Sequence, residues 1–235
     1  MIAAWDDPRI KRGLTAQLAT RRARIDAGEA PLGWKVGFGS QAAMAKCKIT
    51  APLVGFLLKC GQVQSGGTVS LKDWTKPVAE PEIAIHIGRD VDPGGGHVQA
   101  AAAITALSPA IELADADLPF EDVEAILKGN IFQRHVVVGP RDFSRAGGKV
   151  AGLVGRVTRR GKEFARTSDP EAATGKLADI VRHVADVLGA FGETLRAGEI
   201  IIAGSVVLPL FIEPDEDGVM FELDPIGGVS VRFER

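Results

Sequence analysis

Residues 79–88, AEPEIAIHIG, alternate without a break. Ile83, Ile85 and Ile87 fall on one face of an extended strand, and Glu80, Glu82, Ala84 and His86 fall on the other. The same period of two recurs in PLVGFLL, in PAIELAD around Glu112 and in HVVVG at 135–139, each of which predicts a strand. EIIIAGSVVLPLFI and GGVSVRF supply the last strands, and KVAGLVGRVTRRGKEFAR predicts a hairpin turning near Arg160-Gly161. Helical spacing marks three stretches: residues 8–28 (Ile10, Leu14, Leu18, Ile25), the alanine-rich His97–Leu107 ended by Pro109, and Ala172–Phe191 with Gly192 as its stop. Gln41–Lys48 has room for one or two helical turns. Strands outnumber helices and most are joined by turns, which predicts an α+β fold with a mainly antiparallel or mixed sheet. The pattern divides the chain into an N-terminal helical arm, residues 1–30, and one catalytic domain, residues 31–235.

Composition narrows the class. The 235 residues are 46% hydrophobic and 25% charged, with a formal net charge of −2, so nothing in the balance suits a nucleic-acid partner. The densest basic cluster, Arg21-Arg22-Ala23-Arg24, is expected to be a solvated helix face. No apolar run reaches the roughly 20 residues of a membrane span. The start, MIAAWDDPRIKRG, carries early acids and no long apolar core, unlike an export signal. Two cysteines, Cys47 and Cys60, stand outside any C-x-x-C, which fits a reducing, cytoplasmic setting.

Gly37-Phe38-Gly39-Ser40-Gln41-Ala42 matches the G-x-G-x-x-A form of a dinucleotide loop. Its context does not. Pro52 cuts off the helix that should follow, and residues 57–62 hold no acid for a ribose hydroxyl. The charged residue just before the loop, Lys35 between Trp34 and Val36, then becomes the more informative feature.

Glu80 and Glu82 leave one face of a strand with Cα atoms about 6.6 Å apart. That spacing suits either a solvent-exposed strand face or a hard divalent ion held between two carboxylates. Glu112, flanked by Ile111 and Leu113, alternates against a core face in the same way. Inward-pointing acids need a charge partner or a raised pKa, and three of them with one lysine suggest a magnesium site with an acid–base group beside it.

In order, GWKVGFGS, VAEPEIAIHIG, SPAIELAD, the Asn130–VVVG stretch, LRAGEIIIAGSVV and GGVSVRF resemble the 2-keto-4-pentenoate hydratase and 4-oxalocrotonate decarboxylase group of the fumarylacetoacetate hydrolase superfamily. The resemblance runs from about residue 12 to the C-terminus. It implies a mixed β-sandwich roll that holds Mg²⁺ or Mn²⁺ on Glu80, Glu82 and Glu112, with Lys35 as the catalytic acid–base. It also implies a substrate site near Ser40, Asn130 and Ser205, a small 2-keto (2-hydroxydienoic) acid as substrate, and a homo-oligomer. The implied reaction is hydration; decarboxylation or enol–keto tautomerisation of an oxalocrotonate-like diacid on the same scaffold, or a non-catalytic metal-binding partner subunit, are the alternatives. Lys59-Cys60 replace the group's usual acidic pair, which bears on the hydration step. Ile131-Phe132-Gln133-Arg134 replace small residues, and are expected to reshape the pocket and bring a cation to it. His86 is expected to line the pocket or to be a satisfied core histidine, and His183 to lie on the surface.

Overall fold

The computed structural model describes residues 3–235. Helix α1 (Pro8–Asp26) begins where its residues favour a start: the Asp7 carboxylate accepts from the Arg9 amide, and Pro8 occupies the first turn, where a missing N–H costs nothing. The chain continues through β1 (Pro31–Gly37), α2 (Gln41–Cys47), β2 (Leu53–Leu58), β3 (Gln62–Val63), β4 (Thr68–Ser70), β5 (Pro77–Ile87), α3 (His97–Ala103) and β6 (Ile104–Asp115). Then follow α4 (Val123–Lys128), β7 (Gln133–Val138), β8 (Val154–Arg159), β9 (Lys162–Thr167), α5 (Leu177–Ala190), β10 (Ile200–Ser205), β11 (Leu210–Phe211), β12 (Gly218–Asp224) and β13 (Gly227–Glu234).

Two mixed sheets result. The larger runs β2-β1-β10-β5-β6-β7-β3, with β11 added to β5; the smaller runs β4-β13-β12-β8-β9. Pairs β1/β10, β3/β7 and β4/β13 are parallel and the remaining pairs antiparallel, as the α+β reading expects. β2 and β3 are the two edges of the larger sheet, yet only the short turn Lys59–Gly61 separates them, so the sheet rolls round until its edges approach.

The roll gives its central strands, β5 and β6 above all, two buried faces. Trp34, Val36, Ile83, Ile85, Leu107, Ile111, Leu113 and Ile201 belong to the main core, which the helices and the smaller sheet cover. Leu57, Ala84, Ala110, Val136, Ile200 and Ile202 form a second, smaller cluster inside the roll. By the period of two, Lys35, Glu80, Glu82 and Glu112 share this inner face.

Four expectations need correction. The helix from His97 ends at Ala103, and β-branched Ile104-Thr105 open a strand that passes through Pro109. Proline is tolerated there because β7 pairs with β6 only from Ala110 onward, and the Pro109 carbonyl still accepts from Gly139. The late helix begins at Leu177, whose amide is capped by the buried Glu171 carboxylate, so residues 168–176 form a loop instead. Arg21 is not solvated: it is 7% exposed, lies 4.4 Å over the Trp34 ring and pairs with Glu193 and Glu199. Glu199 also accepts from the Trp34 indole, so α1 is bound to β1 through one charged network, with Leu14 and Leu18 in the core. His183 is half-buried and bonded to the Pro52 carbonyl at 2.9 Å, and burial lowers its pKa. Helix α4 and strand β12 were not anticipated.

Candidate metal centre

Glu80 of β5 stands directly opposite Glu112 of β6, and Glu82 opposite Ser205 of β10. Glu82 and Glu112 are fully buried, Lys35 is 2% exposed, and Glu80 is half-buried because it faces a cavity. One carboxylate oxygen from each glutamate lies within 4.8 Å of the others. Like charges directly opposed across a ladder destabilise it unless they are compensated.

Compensation from the protein is incomplete. The Lys35 ammonium donates to Glu112 Oε1 and, at 3.0 Å, to the Ile131 carbonyl. The Gly204 amide donates to Glu82 Oε2 at 2.7 Å. Glu82 Oε1 and Glu112 Oε2 are buried without a hydrogen-bond partner. Burial, with the charge of Glu112 adding to it, pushes the Glu80 carboxyl up to about 7; the same two causes, then Glu80 itself, push Glu82 well above the usual carboxylate range. With all three carboxylates ionised, one ammonium would leave two negative charges, and a hard divalent cation taking oxygen ligands would neutralise both and fill the two orphaned oxygens. The residues present therefore fit such an ion.

The cavity beside the cluster measures about 640 Å³. Its wall is largely apolar: Phe38, Phe120 and Phe132 pack edge-on or tilted, with ring centroids 5.7–6.2 Å apart. Ser40 and Ser205 both line it. The Ser40 hydroxyl also caps α2 by accepting from Ala43, and the Ser205 hydroxyl reaches the Pro81 carbonyl only at 3.4 Å. Gly204 adopts φ +92°, a conformation that favours glycine, and so turns its amide onto Glu82.

Asn130 is placed differently from the expectation. It does not line the cavity; its Nδ2 donates to the Phe56 carbonyl at 2.9 Å and its Oδ1 accepts from the Phe56 amide at 2.8 Å. Asn130, Ile131 and Phe132 all have φ between 53° and 64°, three successive left-handed residues without a glycine. That turn aims the Ile131 carbonyl at Lys35 and lays Ile131 and Phe132 along the cavity. The expected added cation is absent from the pocket, since Arg134 is turned outward to Asp115 and Asp117. Lys59 and Cys60 are exposed and lie outside the cavity lining, with the Cys60 thiol donating to Glu29, so their departure from the acidic pair does not touch the cluster. His86 is a satisfied core residue, 2.7 Å from the Ser108 hydroxyl, with a pKa lowered by burial to about 4.

The family model described as "Fumarylacetoacetate (FAA) hydrolase C-terminal" matches residues 35–233. The chain belongs to that family. Among its relatives, a 4-oxalocrotonate decarboxylase from a Pseudomonas species is 28% identical, over 90% of this chain and 77% of its own. A 2-keto-4-pentenoate hydratase from Paraburkholderia xenovorans (strain LB400) is 27% identical, over 98% and 86%. The 4-oxalocrotonate decarboxylase from Pseudomonas putida G7, solved with magnesium and adipate, has the same fold, with a TM-score of 0.85 at 23% identity over 99% of this chain and 90% of that one. The β-sandwich roll expected from the sequence is thus the family fold.

Proposed function

We propose that this family member is a divalent-metal-dependent lyase for a small unsaturated 2-keto acid, acting by a 2-keto-4-pentenoate hydratase-type reaction, with Glu80, Glu82 and Glu112 as ligands of Mg²⁺ or Mn²⁺. The observation that carries the reading is the convergence of three carboxylates, two of them fully buried, to within 4.8 Å of one another, with two oxygens unpaired and a single lysine beside them. An ion bound there supplies Lewis-acid stabilisation of the negative charge that develops as a 2-keto acid enolises. Lys35 then holds or moves the proton: its Nζ has three donor positions, two of them directed at Glu112 and Ile131. Glu112 and the Ile131 carbonyl fix the direction of that ammonium, and the phenylalanine wall keeps bulk water from the reacting carbons. Ser40 and Ser205 offer hydroxyls to the substrate from the cavity wall. Asn130 acts on the site through the backbone it pins.

Decarboxylation of an oxalocrotonate-like diacid is the second reading, supported by the likeness to a 4-oxalocrotonate decarboxylase. Both reactions start from the same stabilised enolate. A panel of 2-hydroxydienoates and oxalocrotonate-like diacids, followed by ultraviolet absorbance with and without Mg²⁺, separates them. Loss of dienol absorbance without gas is hydration when the product has gained a water by mass and tautomerisation when it has not; CO₂ release is decarboxylation. Mn²⁺ binding with no turnover of any member would refute both and favour a non-catalytic partner subunit.

Among the described residues no helix is long and apolar enough to cross a membrane. Cytoplasmic residence and a homo-oligomer complete the proposal; exposed Phe143, Phe164 and Met220 offer apolar surface for assembly. Light scattering tests the second, and a monomer at micromolar concentration would refute it.

A further inference from the structure

The cavity has a cation at its mouth that the carboxylate cluster does not use. Of the side chains lining it, only Lys35, Lys46 and Glu80 are basic or acidic. Lys35 is fixed at the inner end by Glu112 and Ile131. Lys46, in the last turn of α2, is exposed, and its Nζ lies 4.2 Å from the centroid of the Phe120 ring. Among the described residues no carboxylate comes within ion-pairing distance of it. The ring quadrupole draws the ammonium over Phe120, while the aliphatic stem covers the apolar wall.

Charge along the cavity is therefore polarised. The inner end, which takes a divalent ion in the reading above, accepts the 2-keto acid head of a substrate. The middle is hydrocarbon-like, walled by Phe38, Phe120 and Phe132. The mouth presents an ammonium with no counter-ion. A molecule complementary to all three has a carboxylate at each end of a short unsaturated chain. We propose that Lys46 forms a subsite for the distal carboxylate, so that the preferred substrate is a dicarboxylic 2-keto acid and Lys46 is the residue that selects it over the monoacid. This rests on the metal-centre reading for the inner end only.

The helix offers a plainer explanation, since a lysine in a last turn is favoured by the helix dipole whatever binds nearby. The two differ in what happens to ligand selectivity. Calorimetric titration of Mg²⁺-loaded protein with a saturated dicarboxylate and with the matching monocarboxylate measures it without requiring turnover. The wild-type protein should prefer the diacid by roughly fivefold, the scale of one partly exposed ion pair. Lys46→Met should erase that preference while leaving monoacid affinity within about twofold, and Lys46→Glu should invert it. A diacid preference that survives in Lys46→Met, or a wild type with none, overturns the subsite. Failure of the metal-centre reading shows separately, as loss of Mg²⁺-dependence for both ligands while Lys46 still governs diacid binding.

Discussion

The carboxamide of Asn130 pairs with both backbone polar groups of Phe56, completing for β2 the two hydrogen bonds that a neighbouring strand would supply. It does so from the first of three left-handed residues, and asparagine tolerates that conformation better than most side chains. The pair therefore closes the seam of the roll at the point where the chain strains to bring the Ile131 carbonyl to Lys35.

Asn130→Ala should destabilise the fold by about 2–4 kcal/mol, from two unmade hydrogen bonds at a partly buried backbone and poorer left-handed propensity. Asn130→Gly removes the same bonds but relieves the backbone, so it should be less damaging by about 1 kcal/mol. Urea denaturation of the three proteins checks the order. A glycine variant no better than alanine would show that the left-handed turn stores little strain.

Stability without metal should fall as pH rises. The Glu80 carboxyl lies at about 7 when folded against an ordinary 4.5, so across that window the unfolded chain has released a proton that the folded chain keeps. Folding is then disfavoured progressively from about pH 4.5 to 7, by on the order of 3 kcal/mol at most, with Glu82 acting in the same direction. In a chelator, the melting temperature at about pH 8 should be lower than at pH 5, by roughly 5 °C or more. Mg²⁺ binds the ionised carboxylates, so its stabilisation should be largest at the higher pH. An equal Mg²⁺ shift at both pH values would count against the three-glutamate site.

Glu82→Gln and Lys35→Ala should separate binding from chemistry. The first removes a proposed ligand whose other oxygen is already committed to Gly204, and should weaken Mn²⁺ more than about a hundredfold while leaving the metal-free fold as stable as before or more so. The second keeps all three carboxylates, so Mn²⁺ affinity should hold within about threefold while kcat falls by about 10²–10⁴. Turnover that survives in Lys35→Ala would remove the lysine from the reaction.

The three-glutamate cluster was legible in sequence because it depends on a local regularity: Glu80 and Glu82 alternate with isoleucines, and Glu112 repeats the pattern. Lys35 was legible as a charge in an apolar run. The bonding of Asn130 to Phe56, away from the cavity lining, was not legible because the two become adjacent only when the sheet rolls and β2 meets the turn before β7. Lys59-Cys60 depart from the family pattern, yet the strand ends by carrying them away from the cavity. Arg21 was hidden for a related reason: Glu193 and Glu199, the charges that permit its burial, lie more than 170 residues away in sequence. The helix assigned through residue 107 failed where alanine runs into β-branched residues, a boundary that propensity places poorly and sheet pairing decides.

Gly55 gives the sharpest test of Lys35. It sits opposite Lys35 in the β1/β2 ladder, and a Cβ there would lie 2.9 Å from Lys35 Cγ and 3.0 Å from Asn130 Oδ1. Both contacts are too close, and Cγ is near the root of the side chain, where the lysine cannot simply swing its end away. Gly55→Ala should therefore displace the ammonium without touching any carboxylate. The overpacking should cost about 1–3 kcal/mol of stability. A shift of even 1 Å in an acid–base group can cost on the order of 10² in rate, so kcat should fall by about that factor while Mn²⁺ affinity stays within about twofold. Steady-state kinetics and calorimetry on one preparation measure both. A variant that keeps its kcat despite the lost stability would mean that the lysine's position inside the roll is not what the reaction requires.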